Sequence, residues 1–131
     1  MTDTLQVTVQ HLDEGLAVLS VTGDVDLHTA STLRSHALAL FERGTVHLVL
    51  DLARVDFFDS TGLSTLIGLW HAAQGAGGSL VLAAVPDRLE RMINMTGLSL
   101  ILPVRATVAD ALAGRGADGS PGGADSGGGT S

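Results

Sequence analysis

The chain has 131 residues, the size of one ordinary domain. It is 45% hydrophobic, and its 14 Asp plus Glu face seven cations, all of them Arg, for a formal charge of −7. The absence of Cys removes thiol nucleophiles, disulfides and thiolate metal sites, and the absence of Lys removes a P-loop lysine, a Schiff base and a kinase-type strand lysine, which argues against an ATP-using enzyme. The acid excess repels a phosphate backbone, and one Trp, three Phe and no Tyr make no base-stacking platform, so nucleic acid is a poor partner.

Residues 5–9 and 16–22 have the β-branched content of short strands, with Asp13-Glu14-Gly15 supplying a turn between them. From Leu27 the apolar residues Leu27, Ala30, Leu33, Ala37, Leu38 and Phe41 fall on one helix face, and Gly44 ends the pattern. Residues 46–52, VHLVLDL, predict a strand buried on both faces. The stretch ARVDFFDSTG at 53–62 is a polar break. A second helix starts close to Ser60, carries Leu63, Leu66, Ile67, Trp70 and Ala73 at helical spacing, and stops at GAGG, 75–78.

Residues 79–85, SLVLAAV, predict another buried strand, and Pro86 opens a short helix bearing Leu89, Met92 and Ile93 up to Gly97. LSLILPV at 98–104 reads as a last strand. Thr107 and Asp110 form a capping-box pattern for a helix over Val108 to Leu112. The order β-β-α-β-α-β-α-β-α predicts a single α/β domain with a mixed, mostly parallel sheet and helices packed on it.

The composition changes near Gly114. Residues 114–131 carry eight Gly and only Ala117 and Ala124 as hydrophobic residues, too little apolar area to offset the entropy of ordering, so a folded domain over 1–113 and a disordered Gly-rich tail over 114–131 are expected. The opening MTDTLQVTVQ has no basic region followed by an apolar stretch, and no apolar run reaches the ~20 residues that span a bilayer. The expectation is a cytoplasmic protein with no membrane partner.

The most informative segment is Asp59-Ser60-Thr61-Gly62, where a buried strand has ended and a helix begins. The free amides and the dipole of a helix start favour negative charge, so a phosphate on Ser60 would meet a receptive end. From position alone, the plainer reading is that Asp59 or Ser60 caps the helix. Ser60 is a poor catalytic nucleophile, because Phe58 stands where a nucleophile elbow needs glycine and His71 is roughly 16 Å further along the same helix.

Asp24 and Asp26 follow Gly23 at the end of the second strand, and Asp51, Asp56 and Asp59 surround the end of the third, so some of these carboxylates would gather near Ser60 if the two ends share an edge. A phospho-acceptor receiver domain also has acids at strand ends, but its chemistry needs a Lys. The five His are not spaced as ligand pairs, and no metal or cofactor is expected. Of Phe57 and Phe58, adjacent in an extended segment, one can turn inward and leave the other exposed to a partner.

Over residues 5–113 the chain resembles the STAS domains, and among them the anti-sigma factor antagonists of bacteria. The likeness is carried by the opening strand pair, GDVD at 23–26 followed by Ala30 and Leu33, VHLVLDL, VDFFDSTGLSTLIG at 55–68, and the closing TVADAL. It implies a non-enzymatic binding module whose serine in DSTG, here Ser60, is phosphorylated by its partner, an anti-sigma factor that is an ATP-dependent serine kinase. The unmodified antagonist binds that kinase and frees the sigma factor, and a metal-dependent serine phosphatase restores the binding form.

The same resemblance places Asp24, Asp26, Phe58, Asp59, Thr61 and Gly62 at the partner surface. Phe58 stands where the family often has an aliphatic residue or Met, and Ser64 where it often has Gly or Ala. The fold also suits a scaffold or sensor subunit of a larger assembly, in which Ser60 is a cap that is never modified.

Overall fold

A computed structural model describes residues 5–118 other than Glu14, with side chains as far as Ala113. The chain runs β1 (Gln6–Asp13), β2 (Leu16–Val25), α1 (Ala30–Glu42), β3 (His47–Phe58), α2 (Ser60–Gly75), β4 (Ser79–Ala83) and α3 (Asp87–Thr96). A 3₁₀ turn (Leu98–Leu100), β5 (Val104–Arg105) and α4 (Val108–Asp118) complete it. The five strands form one sheet in chain order, β1-β2-β3-β4-β5. β1 and β2 are antiparallel and every later pair is parallel. This is the single α/β domain with a mixed sheet that the alternation of periods predicts.

Sequential strand order has a consequence for the helices. Right-handed crossovers that all step the same way across a sheet leave their helices on the same face. The three crossover helices accordingly share one core: Leu33, Ala37 and Leu40 of α1, Leu63, Leu66 and Leu69 of α2, and Leu89 and Ile93 of α3 pack with Leu19, Leu48, Leu50, Leu80 and Leu82 of the sheet. The opposite face carries Val18, Val49, Val81 and Ala83, and α4 covers it with Ala111, Val108 and Leu112. Alternate residues of one apolar run thus enter two different cores, which explains why VHLVLDL and SLVLA have no polar side.

Four elements differ from the sequence expectation. Asp26 and Thr29 hold residues 26–29 in a turn, so α1 begins at Ala30 and Leu27, expected on its buried face, is 71% exposed. In α2 the core position is Leu69, fully buried, while Ile67 lies at the surface. The expected strand 98–104 shortens to Val104–Arg105: after Gly97 the Leu98 carbonyl accepts from the amides of Ile101 and Leu102, which curls the chain, and Pro103 has no amide to give a ladder. α4 runs on to Asp118, past the expected end at Leu112. The remainder of the expected Gly-rich tail, residues 119–131, lies outside the described residues.

The largest difference is β3. It continues through the supposed polar break to Phe58, paired with β2 as far as Val25 opposite Phe58. Two register shifts, between Ser20 and Thr22 and between Gly23 and Asp24, each insert an extra β3 residue. The buried residues therefore fall at Leu52, Val55 and Phe58, three apart, where a regular strand would bury every second side chain. β4 ends its pairing at Asp51, so β2 and β3 project beyond the sheet as a two-stranded arm. That arm leads into α2.

Candidate functional site

The site is built where the arm turns into the helix. Gly23 sits at the second bulge with φ 115°, a conformation that side chains disfavour, and from there Asp24 is set opposite Phe57 and Val25 opposite Phe58. The Asp59 amide donates to the Val25 carbonyl at 3.4 Å, closing the corner between the two strand ends. Asp24, Phe57, Asp59 and Ser60 are thereby gathered at one end of the sheet, with Asp24 and Ser60 both exposed.

Asp59 is the helix cap. Its Oδ1 accepts from the amides of Thr61 at 3.0 Å and Gly62 at 3.1 Å, with its backbone extended. Ser60 is therefore the first helical residue, and no described residue hydrogen-bonds its hydroxyl. This corrects one expectation: the amides that a phosphate was expected to use are already held by a carboxylate. Thr61 is half-buried, and its carbonyl accepts from the Thr65 hydroxyl at 2.9 Å.

Phe58 and Gly62, expected at the partner surface, are both buried. A β-carbon on Gly62 would lie 2.7 Å from the Phe58 ring, so these two residues shape the corner from beneath. Phe57, 46% exposed, is the aromatic ring that this corner presents.

Asp26 has a local task. Its Oδ1 accepts from the amides of His28 at 2.8 Å and Thr29 at 3.1 Å, and its own amide donates to Thr29 Oγ1 at 3.0 Å. The His28 hydrogen bond, helped by those from Thr29, holds the Asp26 carboxyl below the usual carboxylate range against a smaller opposing effect of desolvation. The buried Thr29 was missed in the sequence. Its hydroxyl donates to the Asp24 carbonyl at 2.6 Å, tying the turn to the arm, and the available signal was a Thr three residues after an Asp.

Asp51 does not join the corner. It lies within β3, roughly 20 Å back from the strand end at ~3.3 Å per residue, where its carboxylate accepts from Ser20 Oγ at 3.4 Å and from the Ala53 amide at 3.1 Å. Among the described residues no group of three His, Asp or Glu could hold a metal ion, so the acids do not build a receiver-type cradle. Asp56 is exposed on the far side of the arm, in a cleft shared with α3.

Compared with known families, residues 6–111 match the STAS domain. The chain belongs to the STAS domain family. It is 32% identical over 102 residues to the anti-sigma-B factor antagonist of Bacillus subtilis, a match covering 78% of this chain and 92% of that one. Among solved structures, an anti-sigma factor antagonist from Mycobacterium paratuberculosis superposes with a TM-score of 0.78 at 31% identity, covering 87% of this chain and 96% of that one. The Bacillus cell-fate determinant SpoIIAA in its phosphorylated form shares the fold, with a TM-score of 0.68 at 16% identity over 84% and 99% of the two chains.

Within the STAS family this chain therefore groups with the anti-sigma factor antagonists, at modest identity. That membership makes it a regulator acting by interaction, in keeping with the expectation that it is not an enzyme. Among the described residues no helix is long and apolar enough to cross a membrane.

Proposed function

We propose that this STAS domain is an anti-sigma factor antagonist switched by phosphorylation of Ser60. The unmodified form binds an anti-sigma factor that is a serine kinase and so releases the sigma factor; phosphorylation ends the binding, and a serine phosphatase restores it. The setting is the cytoplasm. The observation that carries this reading is the Ser60 hydroxyl itself, exposed at the first position of α2 with no described partner. Support comes also from the antagonist relatives, and from a fold relative that has been solved phosphorylated.

The chemistry of the corner gives the switch a direction. Phosphorylation adds about −1.5 to −2 charges beside Asp59, with Asp24 across the arm, and Asp59 already holds the Thr61 and Gly62 amides that would otherwise neutralise a phosphate. A partner covering Asp24, Phe57, Ser60 and Thr61 would have to desolvate that excess of negative charge, at a cost of several kcal/mol. About 3 kcal/mol is a hundredfold in affinity. Asp26 would act on this surface by holding the turn beside it, and Phe58 and Gly62 by shaping it from below.

Incubation with the cognate kinase and ATP should add one phosphate to the wild-type chain by intact mass and none to Ser60→Ala. Ser60→Ala should keep wild-type affinity for the kinase, and Ser60→Asp should bind more weakly. Equal affinity of all three forms would reject the electrostatic switch. Absence of the mass change would favour the scaffold or sensor reading, in which Ser60 is never modified.

A further inference from the structure

The cleft between the end of β3 and α3 has a wall that the fold leaves unfinished. β4 pairs with β3 only over His47–Asp51, while β3 runs on to Phe58 with β2 on its other side throughout. From Ala53 onward, no backbone hydrogen bond among the described residues meets the β4 side of this strand. An unpaired edge of this kind is a template for another strand.

The cleft along that edge holds about 230 Å³. Sites for drug-sized ligands and cofactors run ~300–1,000 Å³, so this volume suits a large side chain on a segment lying along the edge. Val55, Phe57 and Phe58 form one wall, and Leu89 and Met92 of α3 form the other. Each wall also carries a charge, Asp56 on β3 and Arg88 on α3, both exposed and neither in an ion pair among the described residues.

The occupant has to come from another protein. Residues 1–4 and 119–131 of this chain offer no bulky apolar side chain except Met1. Two copies joined antiparallel through this edge would bring Asp56 towards its own counterpart in an assembly of two chains each of charge −7. Neither fits.

We propose that this cleft is a strand-addition site for a partner protein. An extended segment of about six residues, ~20 Å long, pairs with β3 between Ala53 and Phe58. It sets a large apolar side chain between Phe57 and Met92, an acidic residue against Arg88 and a basic residue across from Asp56. The cleft begins beside the Ser60 corner, since Phe57 belongs to both, but its occupancy does not require Ser60 to be modified.

The test selects binders to the full chain from a displayed library of random octapeptides and titrates the selected peptide by fluorescence anisotropy. The expected peptides share acidic, large apolar and basic residues. Arg88→Glu should weaken the parent peptide tenfold or more and strengthen one in which the acid is replaced by Lys. Methylating alternate backbone amides of the peptide should abolish binding, and the amides of Val55 to Phe58 should exchange more slowly in the complex.

No shared pattern, unchanged affinity of Arg88→Glu, or full binding by the methylated peptide would each overturn the proposal. Ser60→Asp separates the two readings. A peptide that binds it as it binds wild type belongs to the cleft, and one that loses Ser60→Asp but keeps Arg88→Glu belongs to the Ser60 corner and overturns the cleft.

Discussion

A β-carbon at Gly62 would lie 2.7 to 2.9 Å from three atoms of the buried Phe58 ring, closer than packed atoms tolerate. Within a helix, Gly to Ala ordinarily gains up to ~1 kcal/mol. Here the sign should reverse: Gly62→Ala is expected to cost about 1–3 kcal/mol as overpacking. In a Phe58→Leu background, where the ring is gone, the same change should be neutral or favourable. Denaturant unfolding of the four proteins in a double-mutant cycle checks this, and additive effects would show that ring and glycine do not meet.

Asp59 is the second decisive residue. Asp59→Ala should cost about 1 kcal/mol by loss of the cap. It also frees the Thr61 and Gly62 amides, so phosphorylation of Ser60 should raise the melting temperature of Asp59→Ala more than that of wild type. The place of Ser60 was legible because DSTG separates a buried strand from a helical stripe. Which of Phe57 and Phe58 turns inward was not, because the bulges that decide it leave no mark on a period-two pattern.

At the scale of elements, the turn from Asp26 to Thr29 joins the arm to α1 through a carboxylate that must be ionised to accept two amides. Its depressed pKa means that folding favours the charged form: this contribution is complete above the usual Asp value of 3.8 and is lost as pH falls below it through the lower folded value. Thermal unfolding between pH 2 and 6 should therefore show Asp26→Asn less stable than wild type at pH 6, with the gap narrowing towards pH 2. A constant gap would mean that the ionised form has no special role.

Strand and helix cores were legible wherever one period persisted, as in VHLVLDL and the α2 stripe. They were misread where tertiary pairing set the outcome. ARVDFF extends because β2 is there to pair with it, and LSLILPV curls because β4 offers a ladder only at Leu82 and Ala83.

For the whole molecule, sequential strand order with crossovers of one hand puts α1, α2 and α3 on the same face and leaves the other to α4. α4 is thus the lid of the second core, although the sequence marks it only by a capping box and a few small apolar residues. The Asp110 amide does donate to Thr107 Oγ1 at 3.0 Å, which fixes where the helix starts. Its contacts come from Val108, Ala111 and Leu112, all in the first half of the element.

Two changes should then separate this core from the Gly-rich segment that follows. Ala111→Glu puts a charge against Val49 and Val81 and should destabilise by at least ~2 kcal/mol, lowering the melting temperature by roughly 10 °C. Truncation after Asp118, the end of α4, should leave that temperature and kinase binding unchanged, because the composition of residues 119–131 offers the sheet nothing apolar enough to pack. Calorimetry on both proteins decides the point: a truncation as damaging as Ala111→Glu would mean that the Gly-rich segment packs on the fold, against its composition.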